Sequence, residues 1–303
     1  MVAVFLVFVS PAKGQGSASP LAVIPFQEAA QGHIFVKATI DGLPNLSVII
    51  DTGSPRFILS QRVYEQLKLP VVALAYEEGP DPRETSTPVL MTSVPSIAFH
   101  GFEIKNLRAV LSPLNFTQTI SGVRTDAIIG GDLFSRYVVE LDYTNKVLRL
   151  YDPAAYREPQ SGCKLPLSLY DRMYPLVRAQ IMAKGGKWVD AVFLLDTGDE
   201  TPMLNKPFMA SHPNLPIDRL SSKVIEGQSA FYAAKFRTGH LLGIRLGACT
   251  ISEPLVIFRE DPMGTGFDAD GDIGLSVFRR FTTIFDYPAG FVVFQENPKP
   301  IAH

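Results

Sequence analysis

The sequence predicts a mainly β protein made of two homologous lobes that are related by a pseudo-twofold axis. The tripeptide Asp-Thr-Gly occurs twice, at 51–53 and 196–198, each time at the end of an apolar run. The segments around the two tripeptides repeat with a shift of about 144 residues. Twenty-four prolines and 23 glycines are spread along the chain, a composition that favours many short strands with tight turns over long helices.

The repeat continues well beyond the two tripeptides. Gly130 ends an apolar segment 79 residues after Asp51, and Gly274 ends a similar segment 78 residues after Asp196. The residues that follow align without a gap, and the matched pairs are Phe134 with Phe278, Arg136 with Arg280, Tyr137 with Phe281, Asp142 with Asp286 and Tyr143 with Tyr287. A repeat this long exceeds the short periods of solenoids and indicates two lobes of one topology.

Length and composition limit the classes of function. At 303 residues, with 46% apolar and 19% charged residues, each of two lobes can bury its own core. The net charge is −2 and there is no long basic run, so no nucleic-acid partner is expected. The five histidines have no metal-ligand spacing, and the acidic segment 268–272 lacks the glycine position of an EF-hand loop, so neither a metal nor a cofactor is expected.

The first 19 residues have the pattern of a processing signal. Residues 2–9 form an unbroken apolar stretch that is too short to span a bilayer, and Ala12-Lys13-Gly14 offers a small-x-small cleavage pattern. We expect a signal peptide and processing region at 1–19, a secreted or periplasmic protein, and no stable membrane insertion. A buried first strand is the alternative interpretation of this segment.

The elements of copy one follow from alternation and turn residues. Residues 20–32 are expected to be a lead-in or loop, and Asp41-Gly42 a hairpin turn. Ser60 is the expected N-cap of a helix that Pro70 stops. The predicted elements are strands at 33–40 and 46–50, the helix Gln61–Leu69, strands at 89–99 and 102–112, a short helix at 132–137 and a hairpin at 138–151.

Copy two is expected to repeat this order after a linker. The predicted elements are a hairpin at 174–195, a helix near 205–211, strands within 222–258, a helix at 276–281 and a hairpin at 282–295. The expected domain limits are an N-terminal lobe at 33–152, a linker at 153–162 and a C-terminal lobe at 163–298. Both cysteines, Cys163 and Cys249, fall in the second lobe; they either form one disulfide or remain two buried thiols.

These motifs resemble the aspartic peptidases of the pepsin and retropepsin type, from about His33 to Pro298. The motif of that family is an apolar pair before Asp-Thr-Gly, then a flap hairpin, then an apolar pair before Gly. The chain carries Ile49-Ile50-Asp51-Thr52-Gly53 with Ile128-Ile129-Gly130, and Leu194-Leu195-Asp196-Thr197-Gly198 with Asp272-Ile273-Gly274. The resemblance implies closed-barrel-like acid-protease lobes, similar to doubled retropepsin-like domains of bacterial type.

The resemblance implies an aspartic endopeptidase with Asp51 and Asp196 as its catalytic dyad. Two adjacent carboxylates do not both ionise easily, so they would share one proton and activate a water that attacks the peptide carbonyl. The substrate would be an extended polypeptide that binds through backbone hydrogen bonds. Two copies in one chain remove the need for a dimer, so a monomer is expected.

The same resemblance assigns supporting roles to neighbouring residues. Thr52 and Thr197 would hydrogen-bond across the axis, and Gly53 and Gly198 would leave their amides free to reach the carboxylates. The hydroxyl of Ser54 would hydrogen-bond the outer oxygen of Asp51. Flaps are expected at 76–88 and at about 224–232, where the candidates for substrate contact are Tyr76 and Tyr232.

Copy two departs from the pattern of the family. Asp199-Glu200 follows the second tripeptide, and Asp272 replaces an apolar residue. Like-charge repulsion predicts that Asp196 is the more readily protonated partner and that optimum activity is less acidic than that of a digestive enzyme. The alternative function is a secreted, catalytically silent module that keeps the cleft and binds peptides; retention of both Asp-Thr-Gly tripeptides argues against it.

Overall fold

The computed structural model describes residues 19–77, 87–215, 221, 225–228, 233–259 and 269–297. Strands dominate the described residues and the helices are short, so the predicted mainly β class is confirmed. The first half contains β1 (Ala22–Pro25), β2 (Gln27–Glu28), a 3-10 helix (Ala30–Gly32), β3 (Ile34–Ile40), β4 (Leu43–Ile50), β5 (Phe57–Ser60), α1 (Gln61–Leu67), β6 (Val71–Glu77), β7 (Thr87–Phe99), β8 (Phe102–Ser112), α2 (Asn115–Ser121), β9 (Ala127–Ile129), α3 (Gly131–Phe134), β10 (Val138–Asp142) and β11 (Val147–Tyr151).

The second half repeats most of this order. Its elements are β12 (Cys163–Tyr170), β13 (Tyr174–Met182), β14 (Trp188–Leu195), β15 (Met203–Leu204), α4 (Lys206–Ser211), β16 (Ile225–Gln228), β17 (Ala233–His240), β18 (Gly243–Leu246), β19 (Cys249–Ser252), β20 (Leu255–Arg259), β21 (Gly271–Ile273), α5 (Leu275–Phe278), β22 (Phe281–Asp286) and β23 (Phe291–Glu296).

Six strands of the first lobe close into a barrel. The order β3-β4-β9-β5-β8-β7 returns to β3, because Thr39 lies opposite Ala98 and Ile40 opposite Ile97. The strand β6 pairs with β7 outside this ring and forms a hairpin with it. Alternate residues of the strands point inward, so the barrel interior is filled by an apolar core.

The second lobe has the same ring with two of its strands interrupted. The long strand β7 corresponds to β17 followed by β18, and β8 corresponds to β19 followed by β20. The closing contact is kept, since β18 pairs with β13 through Gln180 opposite Arg245 and Ile181 opposite Ile244. Both lobes therefore have one topology, with a break in the second lobe on the side away from its Asp-Thr-Gly loop.

The lobes share a six-stranded sheet with the order β1-β11-β10-β22-β23-β12. Its two central strands, β10 and β22, come from different lobes and pair antiparallel, with Val139 opposite Phe285 and Leu141 opposite Thr283. The outer strands match as well, because β1 pairs with β11 and β12 pairs with β23. The pseudo-twofold axis therefore passes between β10 and β22. Aromatic side chains of the two lobes pack against each other there, such as Phe134 and Phe285, whose ring centroids are 5.3 Å apart.

Several local expectations differ from the structure. Of the two alternatives for 20–32, an ordered lead-in or a loop, the structure has the first, with an edge strand at Ala22–Pro25 on β11 that was not predicted because the pairing depends on residues far along the chain. Helix α1 has the expected cap, with the Val63 amide donating to Ser60 Oγ at 3.3 Å. It ends at Leu67 rather than Leu69 because Lys68 adopts a left-handed conformation with φ of 53°.

The two cysteines form a disulfide, which decides between the two interpretations of the sequence. Cys163 at the start of β12 is bonded to Cys249 at the start of β19, with 5.7 Å between their Cα atoms. The bond ties the edge of the shared sheet to the barrel of the second lobe. Among the described elements, no helix has the length and hydropathy needed to cross a membrane.

Candidate active site

The two Asp-Thr-Gly loops leave their lobes at equivalent points. Asp51 follows β4 and its amide donates to the Ile129 carbonyl at 3.0 Å; Asp196 follows β14 and its amide donates to the Ile273 carbonyl at 3.0 Å. In each lobe the preceding strand pairs parallel with the short strand that ends in Ile-Gly. The apolar-apolar-Gly segments therefore anchor the strand ends from which the two aspartates project.

Gly130 permits the tight packing that this arrangement needs. A Cβ atom at Gly130 would lie 1.8 Å from the Asp51 carbonyl oxygen and 2.3 Å from that of Ser54, distances that no side chain tolerates. The amide of Gly131 also donates to the Ser54 carbonyl at 2.9 Å. The loop that carries Asp51 is thus held against the end of β9 by backbone contacts that only glycine allows.

The threonines of the two loops hold each other across the axis. The Thr52 hydroxyl donates to the Leu195 carbonyl at 2.7 Å and accepts from the Thr197 amide at 2.9 Å. The Thr197 hydroxyl donates to the Ile50 carbonyl at 3.0 Å and accepts from the Thr52 amide at 3.0 Å. Both threonines are fully buried, so each hydroxyl satisfies backbone groups of the other lobe that water does not reach.

The two carboxyl groups meet above this threonine network. The Gly53 amide donates to Asp51 Oδ1 at 2.8 Å, and the Gly198 amide donates to Asp196 Oδ1 at 2.7 Å. Each glycine also faces the opposite aspartate, because a Cβ at Gly53 would lie 2.3 Å from Asp196 Oδ2 and one at Gly198 would lie 2.6 Å from the Asp51 carboxylate. The structure thus brings Asp51 and Asp196 together with both glycine amides directed at them.

Burial raises the pKa of both aspartates. Burial raises the pKa of Asp51 to about 6, and the hydrogen bond from Asp196 is the largest influence that lowers it. Burial also raises the pKa of Asp196 well above its ordinary value, and the charge of Asp51 adds to the rise. The pair therefore shares one proton. Asp196 carries this proton and donates a hydrogen bond to Asp51.

Ser54 does not have the contact expected of it. Its hydroxyl donates to the Arg56 carbonyl at 2.9 Å and is therefore not directed at the outer oxygen of Asp51. The backbone amide of Ser54, rather than its side chain, helps to lower the pKa of Asp51. The prediction for the hydroxyl was wrong because the turn after Gly53 places a carbonyl oxygen within closer reach of this side chain.

Two further acids of copy two lie beside the dyad. Asp272 is buried in β21, where its Oδ1 accepts from the Met203 amide at 3.1 Å. Burial and then the charges of Asp199 and Asp196 raise the pKa of Asp272 well above its ordinary value, and buried Arg259 opposes the rise. These contacts explain how a carboxyl group occupies a position where the repeat has an apolar residue.

Asp199 extends this acidic group to the surface of the cleft. Desolvation within the cleft walls raises its pKa to about 7, the charge of Asp196 adds to the rise, and His33 and Arg259 oppose it. The residue itself is exposed, so water in the cleft screens part of this effect. The sequence suggested that Glu200 would also add negative charge near Asp196. Its Oε1 atom instead lies 3.6 Å from Nη1 of Arg279.

The described parts of the two predicted flap regions form equivalent hairpins. Tyr76 belongs to β6 and lies opposite Pro88 in β7, and the second lobe has the corresponding hairpin of β16 and β17. Tyr232 and the segments 78–86 and 229–232 lie outside the described residues. Across the described ranges, no cluster of three or more His, Cys, Asp or Glu side chains is arranged to hold a metal ion.

Sequence reasoning missed two groups near the site. His33, at the start of β3, contacts the Gly198 carbonyl oxygen through Nε2 at 2.9 Å. Asp126 and Asp270 each accept a backbone amide of the strand that leads to an Asp-Thr-Gly loop, from Ser47 at 2.9 Å and from Val192 at 2.8 Å. Their matched positions in the repeat are the one signal that pointed to a shared role.

Fold and site together define a two-lobed acid protease architecture with an aspartate from each lobe at the axis. Residues 36–133 match the model of a family described as aspartyl protease. The structure is similar to the crystal structure of the aspartic proteinase from Irpex lacteus, with a TM-score of 0.57, 12% identity and coverage of 93% of this chain and 98% of that one. No curated protein sequence matches the chain significantly. The family match and the shared fold support an aspartic peptidase family, as the motifs predicted.

Proposed function

We propose that the protein is an aspartic endopeptidase that hydrolyses peptide bonds with the dyad Asp51 and Asp196. The observation that carries the proposal is the reciprocal packing of each carboxylate against the glycine of the other loop. This contact requires both lobes, both tripeptides and both glycines at once. A pure binding module has no need for two adjacent, partly buried carboxyl groups that share a proton at a cost in stability.

The chemistry follows from the unequal proton affinities of the pair. Ionised Asp51 accepts a proton from a water molecule between the two groups as that water attacks the peptide carbonyl carbon. Protonated Asp196 donates a hydrogen bond to the carbonyl oxygen as negative charge develops there, and a proton then passes to the leaving amine. Activity needs Asp51 ionised and Asp196 protonated, so raised pKa values favour mildly acidic to neutral conditions.

The proposed substrate is an extended polypeptide, bound by one copy of the chain. Hairpins β6–β7 and β16–β17 occupy equivalent places in the two lobes and would cover a chain lying across the dyad. An extended peptide bound there would exchange backbone hydrogen bonds with strand edges, which suits many side-chain sequences. Tyr76 and Tyr232 remain candidates for contacts with this substrate, and a monomer is sufficient because each chain supplies both aspartates.

Digestion of a peptide library across pH 3–8 tests the function directly. We expect cleavage by the wild type, and at least a thousandfold loss of kcat in Asp51→Asn and in Asp196→Asn, because each variant removes one member of the proton-sharing pair. Asp41→Asn, at an exposed hairpin turn, is the control for loss of a carboxylate elsewhere. Pepstatin should inhibit the wild type.

The outcomes separate enzyme from binding module. Activity retained in both dyad variants would contradict the proposal. A wild type that binds peptides in the same cleft but cuts none of them across this pH range would identify the silent module.

We also propose a secreted or periplasmic location. The disulfide between Cys163 and Cys249 supports it, because such bonds persist in oxidising compartments. Alkylation of free thiols in material taken directly from cells checks this: both cysteines should resist the reagent unless a reductant is added. Full alkylation without reductant would argue for a reducing compartment.

A further inference from the structure

His33 lies beside the second catalytic loop although it belongs to the first lobe. Its Nε2 atom is 2.9 Å from the carbonyl oxygen of Gly198, a residue 165 positions away. A carbonyl oxygen can only accept a hydrogen bond, so Nε2 carries a proton and donates it. The other ring nitrogen, Nδ1, is buried and has no hydrogen-bond partner among the described residues. The contact to Gly198 is therefore the one hydrogen bond that the described residues give this ring.

Gly198 is the residue through which the second loop holds the dyad. Its amide donates to Asp196 Oδ1 at 2.7 Å, and its Cα approaches the Asp51 carboxylate so closely that a Cβ would lie 2.6 Å from it. Both contacts depend on the rotation of the peptide groups on either side of Gly198. Because the peptide unit is planar, fixing the Gly198 carbonyl also fixes the direction of the next amide, that of Asp199, which is hydrogen-bonded to the Asp196 carboxylate.

The segment that carries His33 is itself attached to the second lobe. Glu28 accepts from Arg279 Nε at 3.1 Å, and Gly32 packs directly under the Arg279 guanidinium, where no Cβ would fit. The amide of Ala29 donates to the His33 carbonyl at 3.0 Å and closes a turn over this segment. The strap formed by residues 28–33 therefore arrives at the loop in a fixed position and not as a free end.

We propose that His33 is a positioning residue for the catalytic reaction, whose Nε2–H holds the Gly198 carbonyl so that the amide of the same peptide unit, that of Asp199, stays directed at Asp196. The inference rests on the proposed peptidase function. It assigns to the first lobe a direct part in shaping the catalytic loop of the second lobe, beyond the threonine contacts. His33 does not touch the reacting atoms and acts only through Gly198.

Three substitutions separate the hydrogen bond from the bulk of the ring. The Gln amide places an N–H at about the reach of Nε2, whereas Asn is too short and Leu has no donor. We expect His33→Gln to keep kcat within about threefold of wild type. His33→Asn and His33→Leu should lower kcat about tenfold, the scale of one lost hydrogen bond, with KM changed less than threefold. His240→Leu, at an exposed site remote from the loop, is the matched control.

Amide hydrogen exchange provides a readout that does not depend on turnover. Exchange at 196–200 should be faster in His33→Asn and His33→Leu than in wild type, and close to wild type in His33→Gln. Equal exchange in all four proteins would overturn the inference, as would equal loss of kcat in the Gln and Leu variants. Wild type that cuts no peptide would refute the proposed function, and the exchange result would still decide the role of His33.

Discussion

At the scale of single residues, the acids of the second loop act on the pKa of Asp51 and so, under the proposed function, on the pH at which the protein would work. The charge of Asp199 contributes to the raised pKa of Asp51, the charge of Asp196 raises the pKa of Asp199, and both of these charges raise the pKa of Asp272. A carboxyl group whose pKa rises keeps its proton to higher pH. We therefore expect the proposed dyad to reach its singly protonated form at less acidic pH than an isolated pair of the same geometry.

Asp199→Ser tests this origin of the working pH. Loss of the negative charge should lower the pKa of Asp51, so the acid limb of the profile of kcat/KM against pH should move to lower pH. The rate at pH 5 should rise relative to the rate at pH 7, as measured with one peptide in buffers of constant ionic strength. Glu200→Gln is the control, and its profile should stay in place because Glu200 pairs with Arg279.

If kcat/KM depends on pH in Asp199→Ser as it does in the wild type, the raised pKa of Asp51 results from burial alone. A wild-type optimum near pH 2–3 would contradict the whole argument, since Asp51 would then have an ordinary pKa despite its surroundings.

Single residues also mark the limit of what the sequence could predict. Asp51 and Asp196 were predictable because a duplicated motif makes the pattern visible twice. His33 and Arg259 were not predictable, because no local pattern indicates their partners. His33 contacts Gly198, 165 residues away, and the charge of Arg259 acts on Asp199, which is also distant in the sequence. The hydroxyl of Ser54 was misassigned because two acceptors compete for one donor, and only coordinates show which is closer.

At the scale of elements, the junction of the two catalytic loops is a hydrogen-bonded unit built by Thr52 and Thr197. Each hydroxyl serves an amide and a carbonyl of the opposite lobe, in a place without solvent. Replacement by Val keeps the shape of the side chain but leaves these backbone groups without partners. The unit therefore links the stability of the interface to the geometry of the dyad.

Thr52→Val and Thr197→Val should each destabilise the protein by about 1–3 kcal/mol, since a buried amide and a buried carbonyl lose their partner. Urea unfolding of the two variants and of the double variant measures this. The double variant should lose less than the sum of the single losses, because the two hydroxyls act on one shared interface. Strict additivity, or single variants as stable as wild type, would contradict a joint role.

Elements with local signals were predictable and elements defined by distant pairing were not. The strand at 102–112 has the predicted limits because alternation and the preceding Gly101 define it locally. The strands β5 and β15 were missed, since a strand of four or two residues after a tight loop has no periodicity of its own. Helix α2 was missed because its sequence, Asn-Phe-Thr-Gln-Thr-Ile-Ser, is polar and rich in poor helix formers.

At the scale of the whole molecule, duplication produces one site and one shared sheet. The central pair β10 and β22 comes from matched segments, which explains why the repeat is most regular there: both copies must fit the same contact. Copy two diverges elsewhere, in its interrupted barrel strands and in its additional acids. The same copy carries the disulfide, which joins β12 of the shared sheet to β19 of the interrupted barrel.

The disulfide should stabilise the molecule without shaping the site. Cys163 and Cys249 are 86 residues apart, and closure of a loop of that length restricts the unfolded chain by up to about 4–5 kcal/mol, with 2–4 typical for measured disulfides. Cys163→Ala with Cys249→Ala should therefore lower the free energy of unfolding by about 2–4 kcal/mol. The value of kcat/KM at 25 °C should stay within about twofold of wild type, because the bond lies against Phe294 and not at the loops that carry the aspartates.

Urea unfolding with and without a reductant tests the expected stabilisation by the disulfide, and peptide cleavage by the folded variant tests whether the disulfide affects the site. Reduction should destabilise the wild type by the same amount and leave the double variant unchanged, which separates the bond from the volume of the side chains. A large loss of kcat/KM in the folded double variant would mean that the disulfide reaches the dyad through β12 and the shared sheet. The second barrel would then be a determinant of the catalytic geometry, whereas the hydrogen bonds of Thr52, Thr197 and His33 place that geometry at the loops themselves.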